Sequence, residues 1–156
     1  MPKRMLLVLG IVGLLAALAV PVIALAIHPA ITRDATRVAT LTGAGETNPV
    51  DSDGSGLGRV TIDARKRLLC YELIVTGINP TAAHIHPGAA GVDGAPIVDF
   101  STFGEALGSS SHGCVRGGDA PTRPVLRDIV ENPKEYYVNV HTAANPGGEI
   151  RGQLSR

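Results

Sequence analysis

The stretch LLCYELIVTG, residues 68–77, constrains the fold more than any other part of the chain. Leu69, Tyr71, Leu73 and Val75 fall on one side of an extended strand, and Cys70, Glu72 and Thr76 on the other; Ile74 alone breaks the contrast. Similar short runs occur at RVATLTG (37–43), LGRVTIDA (57–64), TAAHIH (81–86), APIVDF (95–100), YYVNVHT (136–142) and EIRGQLS (149–155). Turn-forming stretches separate them, such as NPVDSDGSG (48–56) and AANPGG (143–148), the latter predicting a hairpin. A Gly/Ser-rich stretch, 104–119, carries His112 and Cys114 and reads as a loop. Only PTRPVLRDIVENP (121–133) suits a helix, with Val125, Ile129 and Val130 as a short apolar stripe and Pro133 as its stop. Seven or so short strands with one helix predict an all-β domain, an antiparallel β-sandwich or small β-barrel. With no Trp and 3% aromatic residues, its core must be built from Val, Ile, Leu and Ala.

The first segment reads differently. Lys3 and Arg4 precede an uncharged apolar run from Met5 to Ile27, which passes through Ala24-Leu25-Ala26. A basic start, an apolar stretch and a small-x-small end make a secretory signal peptide over 1–26. The rival is an uncleaved anchor, since about 20 apolar residues span a bilayer. Pro21 favours cleavage, and either way the domain lies outside the cytoplasm. Contact with a membrane is then expected only through this segment, if it is retained. Residues 27–36 read as a spacer and 37–156 as one domain. Formal net charge is zero, which argues against a nucleic-acid partner. Cys70 and Cys114 are the only cysteines. In an oxidising compartment an even count predicts one disulfide, with two buried free thiols as the alternative.

Two of the five histidines, His84 and His86, are separated by one residue. If Ile85 faces the core, both rings stand on the opposite side of the strand. In YYVNVHT, Val138 and Val140 face inward, so Tyr137, Asn139 and His141 face outward; in EIRGQLS the same parity puts Glu149, Arg151 and Gln153 outside. A His-x-His pair with a third histidine from another strand gives three nitrogens, a set that suits copper or zinc. The plainer alternative is three surface histidines hydrogen-bonded to their neighbours. His28, beside the cleavage point, is expected to be a bystander, and so is His112, in the loop, with a fourth-ligand role as its alternative. Arg151 is expected on the histidine face, either as a guide for anions or in an ion pair with Glu149 or Glu72. Asp93 and Asp99 read as turn and strand-end residues. No Ser/His/Asp set or carboxylate pair is recognisable, and the glycines of GAAGVDG lack the strand-to-helix setting of a nucleotide fingerprint.

LTGAGETNPVDSDGSGLGRVTID, LCYELIVTGINPTAAHIHPGAAGVDGAPIV and YYVNVHTAANPGGEIRGQL resemble the CHRD family over about residues 38–154. The resemblance implies an immunoglobulin-like, Greek-key β-barrel in an exported protein. By analogy with the extracellular antagonist chordin, it also implies a binding module whose protein partner is unknown. His84, His86 and His141 are more loosely similar to the copper ligands of copper-zinc superoxide dismutases, and Arg151 to their anion-guiding arginine. That family's bridging histidine and zinc-loop ligands have no counterpart here. Two readings follow: a non-enzymatic module that binds a partner or a metal, and, as the alternative, a superoxide dismutase-like copper oxidoreductase.

Overall fold

Alternation governs the core. Val60 and Ile62, then Leu69, Tyr71, Leu73 and Val75, then Val138 and Val140 are each 2% exposed or less, while their sequence neighbours on β2 and β3, apart from the buried Asp63, turn outward or sit half-buried. In the computed structural model, residues 35–104 and 106–156 are described. The leader, most of the spacer and His28 lie outside these residues.

The described residues form strands β1 (Ala35–Thr42), β2 (Ser55–Asp63), β3 (Leu68–Thr76), β4 (Ala82–Pro87), β5 (Val98–Asp99), β6 (Ser110–Arg116), β7 (Tyr136–His141) and β8 (Ile150–Gln153), with one helix, α1 (Arg123–Glu131). They make one antiparallel sheet, in the order β5-β4-β7-β8-β1-β2-β3-β6, curled into a half-barrel. It is one continuous sheet rather than two stacked ones. β1, β2 and β3 form a meander, while β4 joins β7 across a long connection. A bridge between Gly104 and Gly113 ties the chain leaving β5 to β6 at the other edge. Tyr71 stacks on Phe100 at 4.0 Å and donates its hydroxyl to the Phe100 carbonyl, so the curled ends meet over the core.

α1 lies against β1 and β2 and buries Leu126, Ile129 and Val130. The stripe is thus centred one residue beyond the predicted Val125, which is only half-buried. Arg37 Nε donates to the Val130 carbonyl, one of the last of the helix, at 3.1 Å. Asn132 closes the helix and Pro133 opens a short 3-10 turn, matching the predicted stop.

Three expectations need correction. Part of the predicted loop 104–119 is strand β6, paired with β3 along its length, and His112 lies on it opposite Glu72. Gly is a weak strand former and Val115 is the one β-branched residue in the run, so this strand owes its existence to its neighbour. β5 is two residues long instead of six, because Pro96 has no N–H to give a ladder. β1 starts at Ala35, two residues before the predicted domain boundary. Cys70 and Cys114 are direct partners across β3 and β6 and form the disulfide on the outer surface of the sheet.

Candidate metal centre

β4 and β7 are adjacent and antiparallel, so period-2 parity becomes a real surface. His84 sits opposite Asn139, His86 opposite Tyr137, and His141 opposite Ala82. Their strand neighbours Ala83, Ile85, Val138 and Val140 are fully buried in the core, which turns the three rings outward together. One ring nitrogen from each histidine lies within 4.8 Å of the others. His84 Nδ1 and His141 Nε2 share a hydrogen bond at 3.0 Å.

The outer partners set the tautomers. His86 Nδ1 stands 2.8 Å from the Gly94 carbonyl, and His141 Nδ1 stands 3.0 Å from the Pro146 carbonyl. A carbonyl only accepts, so both Nδ1 atoms carry the proton and both Nε2 atoms carry an electron pair, that of His141 accepting from His84 Nδ1–H. His86 Nε2 is buried and makes no hydrogen bond among the described residues. His84 faces Asp99, with Nε2 3.9 Å from Oδ1. Binding an ion through His84 Nδ1 would move its proton to Nε2, on the side of that carboxylate. This is the arrangement that metal-ligating histidines use to fix their rings. Two metal–nitrogen bonds of about 2.1 Å span at most about 4.2 Å, and about 3.4 Å at a tetrahedral angle, so the widest pair would close by at least about half an ångström and by about 1.4 Å in a tetrahedral site.

Burial holds all three rings below the ordinary imidazole value of 6.5, with the mutual proximity of the rings adding to it at His84 and His86. The sign follows. Below about pH 6.5 the unfolded chain takes up protons that the folded rings resist. Without metal, the three rings should therefore cost stability as pH falls from 7.5 to 5.5, and thermal melts at the two values in a Glu46→Gln background, which removes the opposite contribution of that raised carboxyl, check this. A smaller midpoint change in a His84→Gln/His141→Gln double variant, which keeps only His86, would locate the effect in these rings.

Parity put Tyr137, Asn139 and Arg151 on the histidine side, and they are there, but loops cover them. Tyr137 is 2%, Asn139 4% and Arg151 1% exposed. His86 stacks on Tyr137 with ring centroids 4.8 Å apart, and the Arg151 guanidinium lies 3.4 Å from the Tyr137 ring centroid. Arg151 also donates to the Ala89 and Val92 carbonyls at 3.0 and 2.8 Å, and pairs with Asp93 at 3.0 Å. Its expected partners, Glu149 and Glu72, are engaged elsewhere. Glu149 takes hydrogen bonds from Ser52 and Thr142, and Glu72 pairs with Arg59. A guanidinium so buried and so occupied is a clamp on loop 88–94 rather than an exposed guide for anions.

A CHRD domain model matches residues 37–154. The chain belongs to the CHRD family. No curated protein sequence matches it. The CHRD domain and its disulfide fit an extracellular protein, and among the described residues no helix is long and apolar enough to cross a membrane. His112, exposed on β6 at the far edge of the sheet from β4, is outside the histidine cluster of this CHRD domain.

One residue at the site escaped sequence reasoning. Glu46 follows a short 3-10 turn after β1, and its Oε2 lies 3.4 Å from Asn139 Nδ2. Burial pushes its carboxyl up to about 7; Asp93 also raises it, against the pull of Arg151 and the Asn139 hydrogen bond. Nothing in the sequence marks a single acid in a glycine-rich turn.

Proposed function

We propose that this CHRD domain is an exported binding module that holds a copper or zinc ion through His84, His86 and His141. The reading is supported by one observation above all: three rings converge while carbonyls fix the protons of two of them away from the centre. The donor set is all nitrogen, borderline in softness, and suits either ion. When bound, the ion would supply an exposed Lewis-acidic position, and the chain's own contribution would be to fix and desolvate its ligands. The copper oxidoreductase alternative asked Arg151 to draw in an anion. With Arg151 buried against Tyr137 and clamped on loop 88–94, no observation favours that alternative.

Metal analysis of the purified chain, followed by competition with a chelator of known affinity, tests the reading. One ion per chain is expected. His86→Ala should weaken binding by roughly a hundredfold or more, given that even outer-shell changes cost 10–100-fold. His112→Ala should leave affinity unchanged. Because the rings stay neutral below the usual range, the ion should be retained as pH falls through about 6.5 and released only in more acid solution. Equal affinity in His86→Ala and the parent would refute the site.

A further inference from the structure

Among the described residues, four buried side-chain polar atoms make no hydrogen bond: Glu46 Oε1, His86 Nε2, Asn139 Oδ1 and Arg151 Nε. Buried polar groups are normally satisfied, so an unsatisfied cluster asks for an explanation. Glu46, His86 and Asn139 line one cleft of about 510 Å³ beside the histidine cluster. All three of their unsatisfied atoms are acceptors. Glu46 Oε1 and Asn139 Oδ1 are oxygens, and His86 Nε2 is an acceptor because its Nδ1–H is committed to Gly94. Such a lining calls for a donor.

Charge narrows the class. Glu46 and Asp93 line the cleft, and no Lys or Arg does so among the described residues. The nearby cation, Arg151, is paired with Asp93 and held by the Ala89 and Val92 carbonyls. Arg151 attracts the Glu46 carboxylate, but no salt bridge joins the two among the described residues. Burial of the charged carboxylate is costly, and a cation would offset the cost. Gly148, with φ of +135°, packs its backbone against both side chains as part of the cleft wall; a Cβ there would lie 2.6 Å from Asn139 Nδ2 and 2.8 Å from Glu46 Oε1, so glycine is required.

We propose that this cleft binds a primary ammonium group, which donates hydrogen bonds to Glu46 and Asn139. Anions are disfavoured by the same acceptors. The inference rests on Glu46 and Asn139, with the proposed metal ligand His86 only adjoining them, and so goes beyond the metal reading. The ammonium can belong to a small free amine or to a lysine side chain, and the test separates the two.

The full chain, in EDTA at pH 8 and constant ionic strength, is titrated with methylammonium while the Gly148 backbone amide and the Asn139 side-chain amide are followed by NMR. Saturable shifts at both are expected. Acetate and methanol at the same concentrations should give none. Glu46→Gln, which keeps shape and removes charge, should weaken methylammonium binding at least tenfold with the remaining amide spectrum unchanged. Nα-acetyl-lysine methylamide giving the same shifts supports entry of a lysine side chain; methylammonium alone giving them assigns the site to small amines. Absence of saturation, equal response to acetate, or equal affinity in Glu46→Gln overturns the proposal. His84→Ala separates the two readings, since it should abolish metal uptake and leave the methylammonium shifts in place.

Discussion

Replacing Arg151 with alanine is expected to destabilise the domain by about 3–5 kcal/mol. The Val92 carbonyl loses its donor, at about 1–3 kcal/mol where it stays buried, and the Ala89 carbonyl keeps only the Val92 N–H, while the bond from Arg151 to Thr47 is lost as well. The contact with the Tyr137 ring goes as well, worth about 1–2 kcal/mol when desolvated. The ion pair with Asp93 adds little, because that carboxylate is 69% exposed. Arg151→Lys should recover less than half of the loss, since one ammonium cannot match the planar fork and the ring stacking. Metal affinity should fall too. Arg151 holds loop 88–94, and that loop carries the Gly94 carbonyl that fixes His86. Denaturant melts and chelator competition on the same variants measure both effects. An Arg151→Ala protein within 1 kcal/mol of the parent would show that the clamp carries no weight.

The second large effect concerns the disulfide. It closes a loop with a sequence separation of 44. On the chain-entropy account its removal costs about 4 kcal/mol. For a domain of this size that lowers the melting temperature by roughly 10–20 °C. The Cys70→Ala/Cys114→Ala variant should show the loss. Damage should begin at β6, whose Gly- and Ser-rich sequence holds to β3 poorly without the crosslink. Hydrogen exchange should speed up first at β6 amides. β4 and β7 lie towards the other edge of the sheet, so metal affinity below the melting point should be unaffected. Reduction with dithiothreitol should reproduce the variant. A melting temperature within 3 °C of the parent would contradict the account.

Sequence parity located the core of β2, β3 and β7 and placed the three histidines on one side. It worked because a slip of one residue would have exposed Leu73 or Val138. It did not show what lies over that side. Tyr137, Asn139, His86 and Arg151 were read as outward, and they are outward from the core, yet loops 43–48, 88–94 and 143–148 close over them. Loops of Gly, Pro and Asn carry no periodicity that reveals where they fold back. Glu46 was missed for that reason. β6 was missed for another: only Val115 in it is a buried apolar residue, and its strand conformation comes from pairing with β3.

The pairing of β4 with β7 has a consequence for the order of events during folding. Its partners, from Ala82 with His141 to Pro87 with Tyr136, stand about fifty to sixty residues apart in the chain. The β1–β2–β3 meander needs only short loops to close. Contacts so distant along the chain form late, after the loop entropy of the intervening segment has been overcome. Before that moment His84 and His86 are a two-nitrogen fragment, and His141 is elsewhere. A nascent chain therefore has no three-nitrogen grip on any ion. On the proposed reading of an exported metal-binding module, the ion is chosen where the sheet is completed, by the ions available there, and not where the chain is made.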